Sequence, residues 1–354
     1  MYSALVTKDF FNKPWCSLIV LGLLLLYKLI NIFDFLKIKI RFSIYEKLIL
    51  QVCRLCRDQP FLLKKISFYS HPIYQPKNKY DSPIEIHSIV SHEVLSYYIV
   101  MAKSFQHFSE IRPQFVVHED GSFTKNDCVF LNHQLPNSTL ITFKQSTQKM
   151  KQLLKKFPIL QKYRLSKHNN KINIMTTVDI PYYTKPKDVF YMDGDILFFN
   201  RPAQLCRWLQ NKKARKEILF MRDHSNVYVV SERVCKEKFG VCHFDRFNMG
   251  ILCYPKSLFN LRSINTYFKL LYEQDKDDIM VRDQTYFMIH FQKEKQKMKV
   301  LNEKKYFVYG VGYYNELYLN QRQDDTICCH YTSTVRHHIY KNAVLLMFRM
   351  KNLF

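Results

Sequence analysis

The sequence predicts an α/β domain with parallel strands in its sheet. Strand-like and helix-like segments alternate along the chain after residue 80, which favours this class of fold. The 354 residues, 47% of them hydrophobic, suffice for a domain of this kind with a real core. An acidic turn, Asp193-Gly194-Asp195, interrupts the apolar run "VFYMDGDILFF". We therefore expect a sheet flanked by helices, with polar groups at one strand end.

Residues 1–75 form a hydrophobic and basic segment that we expect to be helical. Its uncharged run, Pro14–Tyr27, is shorter than the ~20 residues of a spanning helix, and Trp15 and Tyr27 suit a membrane interface. Lysines and arginines on either side would favour an anionic leaflet. The segment predicts membrane association, as an interfacial or marginally spanning anchor or as a signal anchor, with a buried core helix as the alternative.

A polar, proline-bounded linker, Gln75–Pro83, precedes a second region that we place at residues 80–354. Its early strands are expected at Ile84–Val90, Phe115–His118, Ser138–Phe143 and Asp188–Met192, and its helices at His92–Phe108 and Ser146–Phe157. After the acidic turn, "FFNRPAQLCRWLQ" predicts another helix, capped by Asn200 and with Pro202 in its first turn.

The acidic turn allows two interpretations. Asp-Gly is a strong tight-turn pair, so Ile196–Phe199 would fold back onto Val189–Met192 as a hairpin. Alternatively, the turn lies at the carboxyl end of a parallel strand, where α/β sheets bind ligands. Gly194 would then let the backbone bend so that both carboxylates face one Mg²⁺ or Mn²⁺ ion.

The net charge indicates which partners the protein could bind, and the cysteine content indicates its cellular compartment. A formal net charge of +24 attracts nucleic acid, anionic lipid headgroups or phosphate-bearing small molecules, although a lysine-rich composition alone would also produce it. No zinc-finger spacing or RNP-like segment is present, so we expect no nucleic-acid partner. Ten scattered cysteines, including a lone Cys53/Cys56 pair, point to a reducing compartment such as the cytoplasm.

Four stretches, in order, resemble glycosyltransferases of the GT-A fold that use nucleotide sugars, in the glycogenin-like and lipopolysaccharide galactosyltransferase-like branch. "FYMDGDILFF" is similar to the family's YLDxDxxxF, "FNMGIL" to FNxGv, "RDQTYFMIHF" to DQxxxN, and "HYTSTVRHHIY" to the terminal HxxGxxKPW. The resemblance covers roughly Ile84 to Tyr340. It implies a Rossmann-like mixed sheet flanked by helices.

The resemblance also implies a metal site. Asp193, Asp195 and His330 would hold Mn²⁺ or Mg²⁺, and Asp193 would also contact the ribose of the nucleotide. A buried structural role for His330 is the alternative.

The remaining motif residues would bind the donor or face the reaction. Asn248 and Gly250 would line the donor-sugar pocket, where a side chain at Gly250 would crowd the sugar. Arg336, where the family has lysine, would clamp the diphosphate. Asp283 and Gln284 would face the donor sugar and the acceptor as catalytic residues. From the residues alone, Asn248 could equally be a turn residue and Asp283 a helix cap.

Three departures affect the acceptor side: Ser333 stands where the family has glycine, the proline-tryptophan pair is absent, and His290 replaces an asparagine. Arg164 and Lys171 are phosphate contacts or solvated surface residues.

The implied reaction is metal-dependent, retaining transfer of a sugar from a nucleotide diphosphate sugar to a hydroxyl of a carbohydrate, lipid or protein. A non-catalytic, membrane-attached nucleotide-sugar-binding protein and another metal-dependent phosphoryl-transfer enzyme stay open as alternatives.

Overall fold

The computed structural model describes residues 22, 63, 70–72, 84–166, 170–244, 246–274, 282–310, 325–332 and 339–350. Almost all of the predicted N-terminal segment lies outside the described residues, as do Cys53, Cys56, the predicted linker, Ser333 and Arg336. Within the described ranges, no helix is both long enough and apolar enough to cross a bilayer.

Seven strands form the main sheet in the order β3-β2-β1-β4-β7-β6-β8. The strands are β1 (Glu85–Val90), β2 (Gln114–Glu119), β3 (Thr139–Ile141), β4 (Asp188–Met192), β6 (Ile218–Arg222), β7 (Phe247–Pro255) and β8 (Met298–Val300). Strand β1 is parallel to β2 and β4, β2 to β3, and β6 to β8, whereas β7 runs antiparallel to both of its neighbours. The predicted mixed sheet is confirmed.

Helices cover both faces of this sheet. They are α1 (Leu95–Ser109), α2 (Lys125–Gln134), α3 (Phe143–Leu153), α4 (Pro158–Arg164), α5 (Asn170–Ile174), α6 (Ile180–Tyr183), α7 (Ala203–Gln210), α8 (Glu232–Val234), α9 (Leu261–Gln274), α10 (Arg282–Lys293) and α11 (Ile339–Arg349). Alternate residues of β4 enter different cores: Phe190 and Met192 join one, Val189 and Tyr191 the other. Burial on both faces explains the nearly continuous apolar run of this strand.

A second sheet of three strands has the order β5-β10-β9, with β5 at Ile196–Phe198, β9 at Tyr306–Tyr309 and β10 at Cys328–Tyr331. Strand β5 pairs antiparallel with β10, not with β4, so the hairpin interpretation of the acidic turn is wrong. The pairing places His330 opposite Ile196, one residue after Asp195. The strand that pairs with β5 is therefore β10, which is distant in sequence, and not β4 as in a hairpin.

Local capping explains where the structure departs from the predicted boundaries. Helix α3 begins at Phe143, not at Ser146, because Thr142 caps it and Gln145 completes a capping box. The preceding strand therefore ends at Ile141. Before α7, Pro202 occupies the N-cap position, and Asn200 instead donates from Nδ2 to the Thr326 carbonyl.

Candidate active site

The two aspartates leave the end of β4 in a tight turn. The Asp193 N–H donates to the Gly250 carbonyl at 2.8 Å, which extends the pairing with β7 by one residue. The expected turn is present at Gly194 and Asp195, and Gly194 forms it without a positive φ. A Cβ at Gly194 would lie 2.6 Å from Val94 Cγ1, just before α1. Glycine is needed there because the turn packs directly against the start of that helix.

Strand β10 brings His330 to these carboxylates. Its Nε2 lies 3.2 Å from Asp195 Oδ1 and 3.4 Å from Asp193 Oδ2. One ligand atom from each of the three residues falls within 4.8 Å of the others. Asp195 and His330 are buried, and the Asp193 side chain is 30% exposed, so the cluster opens to solvent on the Asp193 side.

Asn248 determines which nitrogen of His330 is protonated. Asn248 Oδ1 accepts from the Gly250 N–H at 2.8 Å, and its Nδ2 donates to Asp223 Oδ2 at 2.7 Å, which fixes the amide orientation. Asn248 Oδ1 also lies 3.2 Å from His330 Nδ1. Nδ1 must therefore carry a proton and donate it, so Nε2, which faces the carboxylates, is the nitrogen that a metal ion would bind in place of a proton.

Gly250 makes room for the same imidazole. A Cβ on Gly250 would lie 2.3 Å from His330 Nδ1 and 2.9 Å from Cγ. The family resemblance assigned this space to the donor sugar. In the structure the His330 ring occupies it, so the close approach of β10 to β7 requires a glycine here.

The cluster holds more negative charge than its surroundings neutralise. Burial, together with repulsion from Asp195, raises the pKa of Asp193 to about 7, against the opposing effect of His330. Burial alone would lower the pKa of His330, but Asp195 and Asp193 outweigh it and raise that pKa above its ordinary value. Two crowded carboxylates with a single imidazole form an arrangement that a divalent cation would relieve.

The donor set fits Mn²⁺ or Mg²⁺. Two carboxylate oxygens and an imidazole nitrogen are ligand types that Mn²⁺ accepts, and Mg²⁺ favours the oxygens. Ligand atoms at adjacent corners of an octahedral ion, each about 2.1 Å from it, lie about 3.0 Å apart. The distances from His330 Nε2 to the Asp195 and Asp193 carboxylate oxygens, 3.2 Å and 3.4 Å, are close to that value.

Asp283 and Gln284, at the start of α10, lie beside this cluster. Asp283 is buried and accepts from Thr176 Oγ1 at 2.6 Å, and burial raises its pKa to about 6. It also contributes to raising the pKa of Asp193. Gln284 Nε2 donates to the Phe247 carbonyl and lies 3.4 Å from Asp223 Oδ2. Both residues are held in place by hydrogen bonds, which an exposed helix cap would not require.

The structure adds three residues that the sequence analysis missed: Tyr191, Asp223 and Thr176. The Tyr191 hydroxyl donates to Asp193 Oδ1, and their spacing of two along a strand could have indicated a shared face. Asp223 directly follows β6, the position relative to a strand that singled out Asp193. Thr176 lies in a π-helical turn, Met175–Asp179, and no sequence signal indicates its contact with Asp283.

Arg164 is neither a phosphate contact nor a surface residue, so both expectations for it are wrong. It is fully buried and binds both carboxylate oxygens of Asp179 at 2.8–3.1 Å. It also donates to Ser146 Oγ at 2.8 Å. Lys171, which is partly buried, donates to the Asp120 carbonyl at 2.7 Å.

No family model matches this sequence, and no curated protein does. Among solved structures, the chain is similar to apo mouse xyloside xylosyltransferase 1, at 12% identity and a TM-score of 0.49 over 72% of this chain and 99% of that one. It is also similar to the galactosyltransferase LgtC in complex with donor and acceptor sugar analogs, at 15% identity and a TM-score of 0.47, covering 76% and 96% of the two chains. A third is the apo glycosyltransferase GlyE of Streptococcus pneumoniae TIGR4, at 12% identity and a TM-score of 0.44, covering 77% and 65%. Because these similarities are weak, we infer the function of this chain from its own residues.

Proposed function

We propose that this protein is a metal-dependent glycosyltransferase that transfers a sugar from a nucleotide diphosphate sugar to an acceptor hydroxyl. One observation carries the proposal. Asp193, Asp195 and His330, separated by up to 137 positions, converge with their ligand atoms within 4.8 Å. The sequence resemblance assigns these same three residues to the metal.

The proposed reaction breaks the bond between the anomeric carbon and the diphosphate oxygen, and negative charge grows on the departing diphosphate. Asp193, Asp195 and His330 would hold Mn²⁺ or Mg²⁺, which supplies Lewis-acid stabilisation of that charge, worth several kcal/mol. Asn248 keeps His330 in the tautomer that a metal requires. Arg336, outside the described residues, is proposed as a second positive partner of the diphosphate.

Asp283 and Gln284 are proposed to act on the sugar side of the site. Their burial next to the carboxylate cluster and their fixed hydrogen bonds support a preorganised role. The resemblance implies that the sugar keeps its anomeric configuration. An NMR measurement of the anomeric coupling in the product would test this, since an inverted product contradicts it.

The decisive experiment compares Asp195→Asn with the control Asp188→Asn, at the other end of β4. Thermal-shift and turnover assays with a panel of nucleotide sugars, with and without Mn²⁺, provide the readout, because a ligand that binds the folded state raises its apparent stability. We expect Asp195→Asn to lose Mn²⁺-dependent stabilisation and to lose turnover by on the order of 10²–10³-fold. The control should retain both.

Three other outcomes would contradict the proposal. Full turnover in Asp195→Asn would remove the metal from the mechanism. Binding of a nucleotide sugar without turnover in the wild type would indicate a binding protein. Cleavage of non-sugar nucleotides at comparable rates would indicate a phosphoryl-transfer enzyme.

The acceptor class and the location are further proposals. A carbohydrate, lipid or protein hydroxyl would accept the sugar, and we propose that residues 1–75 hold the enzyme at an anionic membrane surface in a reducing compartment. The free cysteines among the described residues, such as Cys206 and Cys328, are consistent with that compartment. Deletion of residues 1–40 should move the protein to the soluble fraction, and a full-length protein that is soluble without detergent would contradict the anchor.

A further inference from the structure

A second candidate site lies on helix α7, away from the carboxylate cluster. An open pocket of about 540 Å³ is lined by Arg201, Ala203, Cys206, Arg207, Gln210, Asn211 and Lys212. All of these residues except Cys206 are exposed, so their side chains are accessible to a ligand from solution. Three of the seven are permanent or near-permanent cations at neutral pH, and none carries a carboxylate.

The cations of this pocket form no ion pair within the described part of the chain, although the Glu110 carboxylate lies near enough to Cys206 to affect its pKa. The ion pairs found there do not include Arg201, Arg207 or Lys212. Arg215, five residues after the end of α7, is by contrast paired with Asp188 at 3.4 Å. Burial raises the pKa of the Cys206 thiol, so this group stays neutral and cannot balance the adjacent Arg201.

The pocket is separate from the candidate active site. Helix α1 connects the two: its start packs against the acidic turn, where Tyr98 lies 3.5 Å from a Cβ built on Gly194. Its last residue, Ser109, accepts through its carbonyl from the Cys206 Sγ at 3.8 Å. The 11-residue step from Tyr98 to Ser109 corresponds to roughly 17 Å along the helix. A ligand in the pocket therefore does not compete with a donor nucleotide at Asp193 and Asp195.

We propose that this pocket binds a phosphate group. Two guanidinium groups and an ammonium group suit a phosphate, since arginine donates two parallel hydrogen bonds to its oxygens and lysine adds a point charge. The side-chain amides of Gln210 and Asn211 supply further polar groups at the rim. The phosphate belongs either to a lipid headgroup or to a soluble molecule, and both sources present the same chemistry to the pocket.

The test uses the full chain and two triple variants with equal loss of charge. The pocket variant is Arg201→Gln/Arg207→Gln/Lys212→Gln. The control is Arg233→Gln/Lys236→Gln/Lys238→Gln, which removes three exposed cations outside the pocket. Inorganic pyrophosphate without added metal is titrated calorimetrically. Flotation is measured with phosphatidylcholine vesicles that contain or lack phosphatidic acid.

We expect the pocket variant to bind pyrophosphate at least about tenfold more weakly than the control. Loss of flotation with phosphatidic acid as well would identify a lipid headgroup as the ligand source, whereas unchanged flotation would identify a soluble phosphate. Equal pyrophosphate binding by the two variants would overturn the proposal. If the triple variant does not fold, as judged by circular dichroism, the single exchanges Arg207→Gln and Arg233→Gln provide the same comparison.

Discussion

Two groups of buried charged residues in this protein differ in charge balance and in exposure to solvent. Arg164 and Asp179 are fully buried, and the guanidinium donates to both carboxylate oxygens and to Ser146. Around Asp193 and Asp195, two carboxylates share a single imidazole, and one side chain is 30% exposed. The first group is balanced and closed, as expected for a structural pair. The second has an excess of negative charge and is open to solvent, as expected for residues that would bind a cation.

The largest expected effect tests the balanced pair. Arg164→Met leaves the Asp179 carboxylate buried without a partner, so we expect a loss of about 3–5 kcal/mol in the free energy of unfolding. Urea denaturation measures it. Asp195→Asn is the matched comparison, because it removes charge from the crowded cluster and should leave stability unchanged or raise it. A large loss of stability in Asp195→Asn would show that both groups serve the fold.

The second prediction concerns the space that His330 occupies. Gly250→Ala places a methyl group 2.3 Å from the present position of Nδ1, so the ring must shift. We expect a loss of about 1–3 kcal/mol in stability and of the thermal shift produced by Mn²⁺. Gly310→Ala is the control, since it crowds His224 at 2.2 Å instead. A normal Mn²⁺ response in Gly250→Ala would show that the ring position does not matter.

The third prediction concerns the residue that orients His330. Asn248→Ala removes the acceptor for the Nδ1 proton and should weaken Mn²⁺ binding by about 10–100-fold. Electron paramagnetic resonance of free Mn²⁺ measures the affinity. Asn200→Ala, which loses a hydrogen bond outside the cluster, should bind Mn²⁺ normally. Equal affinities in the two variants would contradict the orienting role.

The smallest expected effect concerns a third buried group, two histidines beside the Glu85 carboxylate, whose Oε2 lies 3.2 Å from His87 Nε2. His87 and His118 are fully buried and share a hydrogen bond of 3.0 Å between Nδ1 and Nε2. Burial lowers the pKa of both, and that of His118 falls well below its ordinary value. Below about pH 6.5 the unfolded chain binds protons that the folded chain does not, so stability is complete above that pH and falls as the pH drops.

We expect up to about 1.4 kcal/mol of stability to be lost per pH unit for each histidine below pH 6.5. Urea denaturation at a series of pH values measures this slope. His118→Phe should make the slope shallower, whereas His133→Phe, at an exposed histidine, should change it less. A slope in His118→Phe equal to that of the wild type would assign the acid sensitivity to other groups.

Much of the site was predictable because its residues follow strands. Asp193 and Asp195 come directly after a buried apolar run, and the chain order of the four motifs predicted His330 as their partner. Asp223 carries the same signal after β6 and was overlooked. The hydrogen bond between Thr176 and Asp283 joins positions 107 residues apart, and no local pattern encodes it.

The two glycines show the limit of local reasoning. At Gly194 and Gly250 the sequence indicated a special backbone position, but the assigned reasons, a bend and room for a sugar, differ from the close contacts found with Val94 and His330. A glycine signals that something lies near the backbone, and only the packed neighbour identifies it. Arg164 is a similar case, because a basic residue in a basic stretch gives no sign that it will be buried in an ion pair with Asp179.

The sequence by itself determined the alternation of strands and helices, the position of the acidic turn and the identity of the three candidate metal ligands. The alternation and the acidic turn follow from hydrophobic periodicity and a short motif, which are local properties of the chain, whereas the ligand set is what the family resemblance implies. The tertiary structure decided that β5 pairs with β10, that Asn248 sets the tautomer of His330, and that the cations on and beside α7 line an open pocket. These depend on which distant residues pack together, because side-chain packing and charge pairing are settled only when the whole chain is folded.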